Sequence, residues 1–167
     1  SVFTDENALK VLTMAYAGLV NKHFVQLCQQ NGVNAIGLSG IDGALVCGRR
    51  NPGIRIVEDG KKKIVRDFSG KPTEINMALL QLLISEGYTV LLTVPILDEK
   101  GFAVNTENDS VVALLQSSLG VRKVIQLLEA PGLLERHDDP SSIIEHMNFS
   151  ELRRKAAASK GRFRRKL

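Results

Sequence analysis

The segment Asn105-Thr106-Glu107-Asn108-Asp109 carries residue types that are well suited to chemistry. It follows an apolar strand and a loop, and it opens a helical pattern. Amide and carboxylate groups at such a place can orient a polar ligand or position a lysine. Asx residues also favour helix N-caps, so a turn followed by a cap is the simpler interpretation. The residue types by themselves leave both interpretations open.

A second candidate is the cluster of cations at the end of the chain. Gly161-Arg162-Phe163-Arg164-Arg165-Lys166 offers charges to phosphates, and a lysine acts there as a point charge. The cluster extends back through Lys160, Lys155, Arg154 and Arg153. Such a cluster attracts phosphates or an acidic partner. Nucleic acid is disfavoured, because no aromatic platform or DNA-reading motif accompanies the charge. A solvated helix end is the simplest alternative.

Other residues that often carry catalysis lack the necessary context. Ser39 lies in a Gly-rich loop, but the Gly-x-Ser-x-Gly setting of a hydrolase is missing. No phosphate loop of the Gly-x-x-x-x-Gly-Lys-Ser type occurs. The histidines have no metal-ligand or triad spacing and are expected on the surface: His23, His137 and His146. We therefore predict no metal site.

The composition is ordinary for a globular protein: 167 residues, 44% hydrophobic, 24% charged and a net charge of +4. This length suits one domain that can bury a core. No apolar run approaches the ~18 residues needed to cross a bilayer, and the N-terminus lacks the layout of a signal peptide. A cytoplasmic protein is therefore predicted. Cys28 and Cys47 are expected to be small buried residues in a reducing compartment.

The first elements are a long helix, a strand and a small-residue loop. Asp5 can cap a helix whose apolar positions continue to Leu27, and Asn31-Gly32 ends it. Val33 to Leu38 is a short apolar run that indicates a buried strand. The loop Ser39–Gly43 follows it.

Further along the chain, strands alternate with helices. Short strands of an antiparallel ribbon are predicted at Ala44 to Cys47, Ile54 to Val57 and Lys63 to Val65, with a hairpin turn at Asp59-Gly60. A helix is predicted over Pro72 to Glu86, a strand at Val90 to Val94, a helix at Asp109 to Leu119 and a strand at Val124 to Leu128. Glu135 to Ser150 is expected to be irregular or to form short helices.

This alternation indicates an α/β fold, a three-layer sandwich with a mainly parallel central sheet and a small β-hairpin ribbon. In such sheets ligands gather outside the carboxyl ends of the strands. Three loops are expected there: Ser39–Gly43, Pro95–Ser110 and Glu129–Gly132. The fold narrows the position of a site but names no reaction.

Several of these segments, taken in order, resemble the amino acid kinase family, in its acetylglutamate kinase and LysW-aminoadipate kinase branch. The resemblance covers the whole chain. It is carried by Ala17 to Lys22, Asn34 to Gly43, Gly48 to Arg50, Asn105 to Asp109, Pro131 to Leu134 and Gly161 to Lys166. Each motif is weak by itself, whereas the ordered set is specific.

Members of this family transfer the γ-phosphoryl group of ATP to a side-chain carboxylate and form an acyl phosphate. The resemblance implies ATP with Mg²⁺, and an acceptor that is N-acetylglutamate in arginine synthesis or LysW-bound aminoadipate in lysine synthesis. It also implies a homodimer through the first helix and, for the second acceptor, a small acidic carrier protein as partner. Cations must neutralise the transferring group while the reacting oxygens are held in line.

The resemblance assigns roles to particular positions. Lys166 matches the lysine that stabilises the transferring phosphoryl group beside the nucleotide, and Asp109 matches the aspartate that holds the catalytic lysines. Asn105 matches the substrate-binding asparagine, and Glu129 falls in the nucleotide-side loop. The cations expected to meet an acidic carrier are Arg49 and Arg50, with Lys61 to Lys63.

Some positions depart from the family pattern. Val2 stands where a substrate-clamping arginine is usual, and valine cannot imitate a bidentate clamp. Asn108 replaces a small residue, and Leu128 replaces a Ser or Thr beside the nucleotide. The pattern also predicts that residues 1–167 form a single partial domain, without the N-terminal phosphate-loop region and the C-terminal end.

These departures support an alternative function, that of a degenerate, non-catalytic homologue acting as a binding or dimerisation partner. A third hypothesis, a basic module that binds nucleic acid, depends only on the charge of the last residues.

Overall fold

The computed structural model describes residues 3–58, 60–127, 129, 132–136 and 138–158. The chain divides into two compact units, Ser1–Val121 and Arg122–Leu167. Each unit is described by itself below.

The first unit opens with a long helical stretch in three parts. These are α1 (Glu6–Leu12), a π-helical segment (Thr13–Val20) and α2 (Asn21–Gln30). Asp5 caps the start as predicted, since its side chain accepts a hydrogen bond from the backbone of Ala8 at 2.7 Å. Gly32 follows the end with φ of +73°, a left-handed conformation that glycine adopts without a steric penalty.

The remaining elements of this unit are mainly short strands. They are β1 (Ala35–Ser39), a 3₁₀ turn (Asp42–Ala44), β2 (Val46–Arg50), β3 (Ile54–Glu58), β4 (Lys61–Val65), β5 (Gly70–Ile75), α3 (Met77–Ser85), β6 (Thr89–Thr93), β7 (Ile96–Leu97), β8 (Ala103–Val104) and α4 (Asn108–Leu119). Gly120 ends α4 in the left-handed conformation.

The strands form three sheets. β1 and β6 pair in parallel, with Ser39 opposite Thr93 at their carboxyl ends. A four-stranded sheet has the order β5-β2-β7-β8, in which β2 pairs antiparallel with β5 and parallel with β7. β3 and β4 form a separate antiparallel hairpin that turns after Glu58, opposite Lys61. The α/β class, the parallel pairing and the hairpin ribbon are confirmed.

The predicted helix Pro72 to Glu86 is wrong in its first part. Pro72 to Ile75 belong to β5, and the helix begins only at Met77, after the N-cap Asn76. The Asn76 side chain accepts from the Leu79 backbone at 3.1 Å, which fixes this boundary. Ile75 lies at helical spacing from Leu79, which favoured a helix. Its pairing with β2 makes it part of a strand, because tertiary contacts override a local pattern.

Three other predictions need correction. The predicted ribbon strand Ala44 to Cys47 is instead β2, which begins at Val46 and lies in the four-stranded sheet. The stretch Pro95–Ser110 is no simple loop, since it contains the β7–β8 pair and the start of α4. The cysteines are half-buried and unpaired rather than buried.

The core of the first unit packs these sheets against α3 and α4. Its buried apolar residues are Leu45, Val46, Ile75, Leu80, Ile96, Val104 and Val111. Burying such side chains stabilises the fold by roughly 1.5–3 kcal/mol each relative to leaving them exposed.

The second unit contains one regular element in its described part, α5 (Phe149–Ala158). The predicted strand Val124 to Leu128 is wrong over residues 124–127, which are exposed and form no ladder, while Leu128 lies outside the described residues. A strand needs a partner for its backbone groups, and no described segment of this unit supplies one. Within the stretch Glu135 to Ser150, the described residues 135–136 and 138–148 are irregular as predicted, with a bridge between Leu134 and Ile143, whereas residues 149 and 150 begin α5.

No helix in the described ranges is long and apolar enough to cross a membrane.

Candidate functional site

Asn105 lies directly after β8, and both its backbone N–H and its backbone carbonyl are hydrogen-bonded. Its N–H donates to the carbonyl of Phe68, and its own carbonyl accepts from Gly70, both at 2.8 Å. The side-chain amide Nδ2 donates to Thr4 Oγ1 at 3.2 Å. No donor in the described part of the chain hydrogen-bonds to Asn105 Oδ1, so this oxygen is available to a ligand.

The residues beneath Asn105 form a buried polar network. Asp67, only 5% exposed, accepts from the backbone of Thr4 at 3.2 Å and of Ser69 at 3.0 Å. The Ser69 hydroxyl also donates to Asp67 at 2.8 Å and accepts from the amide of Asn51 at 2.7 Å. Hydrogen bonds to charged groups are stronger than those between neutral groups. The network therefore anchors the backbone that carries Asn105.

Asp109 lies in the first turn of α4, and its side chain is exposed. The N-cap position is Glu107, whose side chain makes no capping hydrogen bond. The capping interpretation therefore does not explain Asn105 or Asp109. The positive end of the helix dipole favours a carboxylate in this turn. Asp109 is thus an ionisable group presented to solvent four residues after the available amide oxygen of Asn105.

The loops after β1 and β6 come together at the carboxyl end of the parallel pair. Gly40 donates its N–H to the carbonyl of Thr93 at 3.0 Å, and a Cβ on Gly40 would lie 2.9 Å from the carbonyl oxygen of Pro95. Ser39 donates from both its backbone and its hydroxyl to Asp42 Oδ2, at 2.7 and 2.8 Å. Two of the three predicted ligand loops are therefore adjacent. The third, Glu129–Gly132, belongs to the second unit.

Arg49 and Arg50 have different environments, because neighbouring residues of a strand point to opposite faces. Arg49 is exposed, whereas the side chain of Arg50 is 13% exposed. Arg50 Nε lies 3.1 Å from Asp98 Oδ2, and its guanidinium lies over Phe68 and Phe102, 4.9 and 5.8 Å from the ring centroids. Among the described residues Nε and Nη2 of Arg50 lack a partner with hydrogen-bond geometry, so the contact is an ion pair.

Arg66 is a cation that sequence reasoning missed. It is exposed, and its guanidinium lies 5.2 Å from the ring centroid of Phe68 and 5.7 Å from that of Phe102. Such cation–π contacts hold the side chain in place. No motif in the sequence marks Arg66, Asp67, Thr4 or Ser69, since their roles arise from segments far apart in the chain.

Two shifted pKa values in the first unit have clear causes. Burial, and then the charge of Glu74, raises the pKa of the Cys47 thiol. A higher pKa leaves less of the thiolate, which is the nucleophilic form of cysteine. The backbone N–H groups of Glu99 and Arg50 lower the pKa of the Glu99 carboxyl.

In the second unit, Glu129 is exposed. Lys155 Nζ lies 2.6 Å from Glu135 Oε2, and Asp139 accepts from Ser141 and Arg136. The Ser141 hydroxyl and then Arg136 lower the pKa of Asp139. Lys166, Val2 and His137 lie outside the described residues.

The histidines that the structure describes are exposed, as predicted: His23 and His146. Within the described ranges no group of three or more His, Cys, Asp or Glu residues could hold a metal ion. This does not conflict with nucleotide chemistry, because Mg²⁺ bound to phosphates takes only one or two carboxylates from a protein and keeps several waters.

Known proteins match this chain over nearly its whole length. The profile of the Amino acid kinase family matches residues 2–167. LysW-aminoadipate kinase from Thermus thermophilus is 41% identical over 170 aligned positions, which cover 100% of this chain and 63% of that protein. Acetylglutamate kinase from Methanopyrus kandleri is 31% identical over 161 positions, covering 95% of this chain and 64% of that protein. The chain thus spans less than two thirds of the length of these relatives.

A solved structure supports the fold. N-acetylglutamate synthase from Neisseria gonorrhoeae matches with a TM-score of 0.68 and 18% sequence identity, covering 98% of this chain and 37% of that one. At this identity the likeness concerns the fold alone.

Proposed function

Because this chain belongs to the amino acid kinase family, we propose that the protein transfers the γ-phosphoryl group of ATP to a side-chain carboxylate of an amino acid. The acceptor is LysW-bound aminoadipate or N-acetylglutamate, and the product is an acyl phosphate of lysine or arginine synthesis. The observation that carries this proposal is the 41% identity to a LysW-aminoadipate kinase along the whole chain.

Asn105 would bind the acceptor, and Asp109 would hold a catalytic lysine. Asn105 has a fixed amide whose Oδ1 is available to a ligand, which supports a role in binding the amino acid. Asp109 is an exposed carboxylate, which supports a role in holding a catalytic lysine by charge. Lys166 is the proposed lysine that stabilises the transferring group. Fixed charges of this kind lower the barrier because they need no reorganisation during the reaction.

ATP would enter with Mg²⁺ bound to its phosphates. Bound to the phosphates, Mg²⁺ would supply positive charge that offsets the negative charge of the transferring group. Glu129 is proposed to lie beside the nucleotide, together with Lys166. We also propose that the two compact units belong to one amino acid kinase-like domain.

An acidic carrier would meet cations on β2 and the β3–β4 hairpin. Arg49 is exposed on β2, and the hairpin presents Arg55, Lys62 and Lys63 to solvent. Arg50 was also proposed for this contact, but its side chain is engaged with Asp98 and is 13% exposed. We therefore favour Arg49 as the contributor from β2. Opposite charges on two partners increase their rate of encounter.

A homodimer would form through the first helix. Large apolar side chains are exposed along it, and they are Val11, Met14, Tyr16, Leu19, Val20, Phe24 and Leu27. Large apolar side chains that are exposed along one helix mark it as a candidate interaction site. A second copy of the chain would remove these side chains from water.

An ADP-release assay tests the proposed function, with LysW-bound aminoadipate and N-acetylglutamate offered separately. Turnover with one acceptor confirms the activity and names the substrate. Nucleotide binding without turnover of either acceptor would instead support the non-catalytic homologue, which the comparisons do not favour, because the relatives are kinases.

A further inference from the structure

The buried carboxylate of Asp67 joins Thr4 to the segment Asp67 to Ser69, which pairs with Asn105 through the backbone of Phe68. Asp67 Oδ1 accepts from the N–H groups of Thr4 and Ser69, and Oδ2 accepts from the Ser69 hydroxyl. Taking an ionised carboxylate out of water costs several kcal/mol unless hydrogen bonds replace the lost hydration. These donors supply that compensation. The acceptor-only character of the carboxylate is what lets it bind all of them at once.

An amide could not replace Asp67 without conflict. The Ser69 hydroxyl already accepts from Asn51 Nδ2 at 2.7 Å, so its proton is directed to Asp67 Oδ2. An asparagine at position 67 would keep one acceptor oxygen and put an NH₂ group in the place of the other, although both oxygens of Asp67 accept hydrogen bonds. One donor of the buried network would then lose its partner, at a cost of about 1–3 kcal/mol.

Thr4 carries this anchoring to the site. The residue is 3% exposed, its N–H donates to Asp67, and its carbonyl accepts from Phe68 at 2.8 Å. With its backbone held on both sides, Thr4 places its hydroxyl beside Asn105. That hydroxyl oxygen accepts the side-chain N–H of Asn105, which is 101 residues away in sequence.

We infer that Asp67 and Thr4 are positioning residues for Asn105. Asp67 holds the Thr4 backbone, and Thr4 Oγ1 accepts from Asn105 Nδ2, which leaves Oδ1 as the hydrogen-bond acceptor for the ligand. The two ends of an amide differ in hydrogen-bonding character, so a rotated amide would offer a donor where an acceptor is needed. The inference rests on the proposed function only in assuming that the ligand of Asn105 is the phosphoryl acceptor.

A matched pair of variants at Thr4 tests the link directly. Thr4→Val removes the hydroxyl and keeps the shape, whereas Thr4→Ser keeps the hydroxyl. In ¹⁵N-labelled protein, the side-chain amide resonances of Asn105, assigned with Asn105→Ala, should shift and exchange faster with solvent in Thr4→Val. They should stay close to the parent values in Thr4→Ser. Unchanged resonances in Thr4→Val would overturn the inference.

Steady-state kinetics supplies the second readout. Thr4→Val should raise KM for the acceptor about tenfold or more, with KM for ATP unchanged, because a misplaced binding group costs roughly 10- to 100-fold. Thr4→Ser should restore the parent KM, and Asp67→Asn should act in the same direction as Thr4→Val. Equal acceptor KM values in the Val and Ser variants would contradict positioning.

Failure of the proposed function is distinguishable from failure of this inference. A parent protein that turns over neither acceptor refutes the function, while the Asn105 resonances still decide whether Thr4 orients the amide. Thermal unfolding of each variant shows whether it is folded, and the Thr4 pair decides the question if Asp67→Asn does not fold.

Discussion

Arg50 Nε lies 3.1 Å from Asp98 Oδ2, and the two side chains are 13% and 2% exposed. Asp98 Oδ1 also accepts from the backbone of Lys100 at 2.9 Å and of Phe102 at 2.8 Å. The pair therefore fastens the end of β2 to the turn between β7 and β8. Asn105 follows β8 directly, so the same contact supports the position of the candidate site.

Replacing Arg50 should destabilise the fold strongly. Arg50→Ala leaves Asp98 buried without its cation, a change that costs about 3–5 kcal/mol. The matched control is Arg49→Ala, an exposed neighbour, which should change the free energy of unfolding by less than about 0.5 kcal/mol. Urea unfolding of both variants measures the difference. Similar stabilities for the two variants would show that the buried pair is not a structural contact.

Replacing Asp109 should remove activity and leave the fold intact. Asp109→Asn keeps the shape of an exposed side chain but loses the charge proposed to hold a catalytic lysine. We expect kcat to fall on the order of 10²- to 10³-fold, as for other groups that stabilise charge in a transition state. Asp138→Asn makes the same change at an exposed position outside the proposed site and should keep full activity. A kcat within twofold of the parent for Asp109→Asn would exclude the assigned role.

Gly37 should not tolerate a side chain. A Cβ there would lie 2.0 Å from Asn21 Oδ1 and 2.6 Å from Val25 Cγ2. Asn21 is buried and donates to the carbonyl of Leu91 at 3.0 Å, so it cannot move without losing a bond to β6. Gly37→Ala should therefore destabilise the protein by about 1–3 kcal/mol.

Gly18 provides the control for that variant. A Cβ at Gly18 would meet nothing within 4 Å, and the residue lies in a helical segment. Gly18→Ala should leave stability unchanged or raise it by up to about 1 kcal/mol, since alanine is the better helix former. Both variants are compared by thermal unfolding. Equal stabilities would mean that the Asn21 side chain can move away from a Cβ at position 37 with little loss of stability.

A charge on the first helix should separate the proposed dimer. Leu19 is 74% exposed, and burying an unpaired carboxylate in an interface is unfavourable. Leu19→Asp should therefore give a monomer by sedimentation at a concentration where the parent sediments as a dimer. Val57→Asp is the control, because Val57 is 70% exposed on the hairpin, away from this helix in the chain. A dimer that survives Leu19→Asp would place the interface elsewhere.

The long elements of the fold were predictable because local signals agreed with the tertiary structure. Asp5 caps the first helix, Gly32 and Gly120 follow helix ends in left-handed conformations, and the continuous apolar run near Val90 is a strand. Residues 72–75 were assigned to the wrong element. Their spacing fits a helix, and only pairing with β2 makes them a strand.

The candidate site was predictable only in part. Asn105 and Asp109 are candidates because they form a short polar segment that resembles a family motif. The resemblance gave Arg49 and Arg50 one role, yet the alternation of a strand directs them to opposite faces. The local sequence shows residue types and the spacing of apolar positions, but it does not show which charged side chains become buried.

The sequence by itself determined the family, the α/β class and the polar segment from Asn105 to Asp109, since all of these depend on order and spacing along the chain. The tertiary structure alone decided that Thr4, Asp67 and Asn105 meet. Their contacts span 63 and 101 residues of sequence, so no local sequence pattern could predict them. The physical reason is that burying a carboxylate is costly unless it accepts hydrogen bonds, and the fold brings the donors from distant parts of the chain.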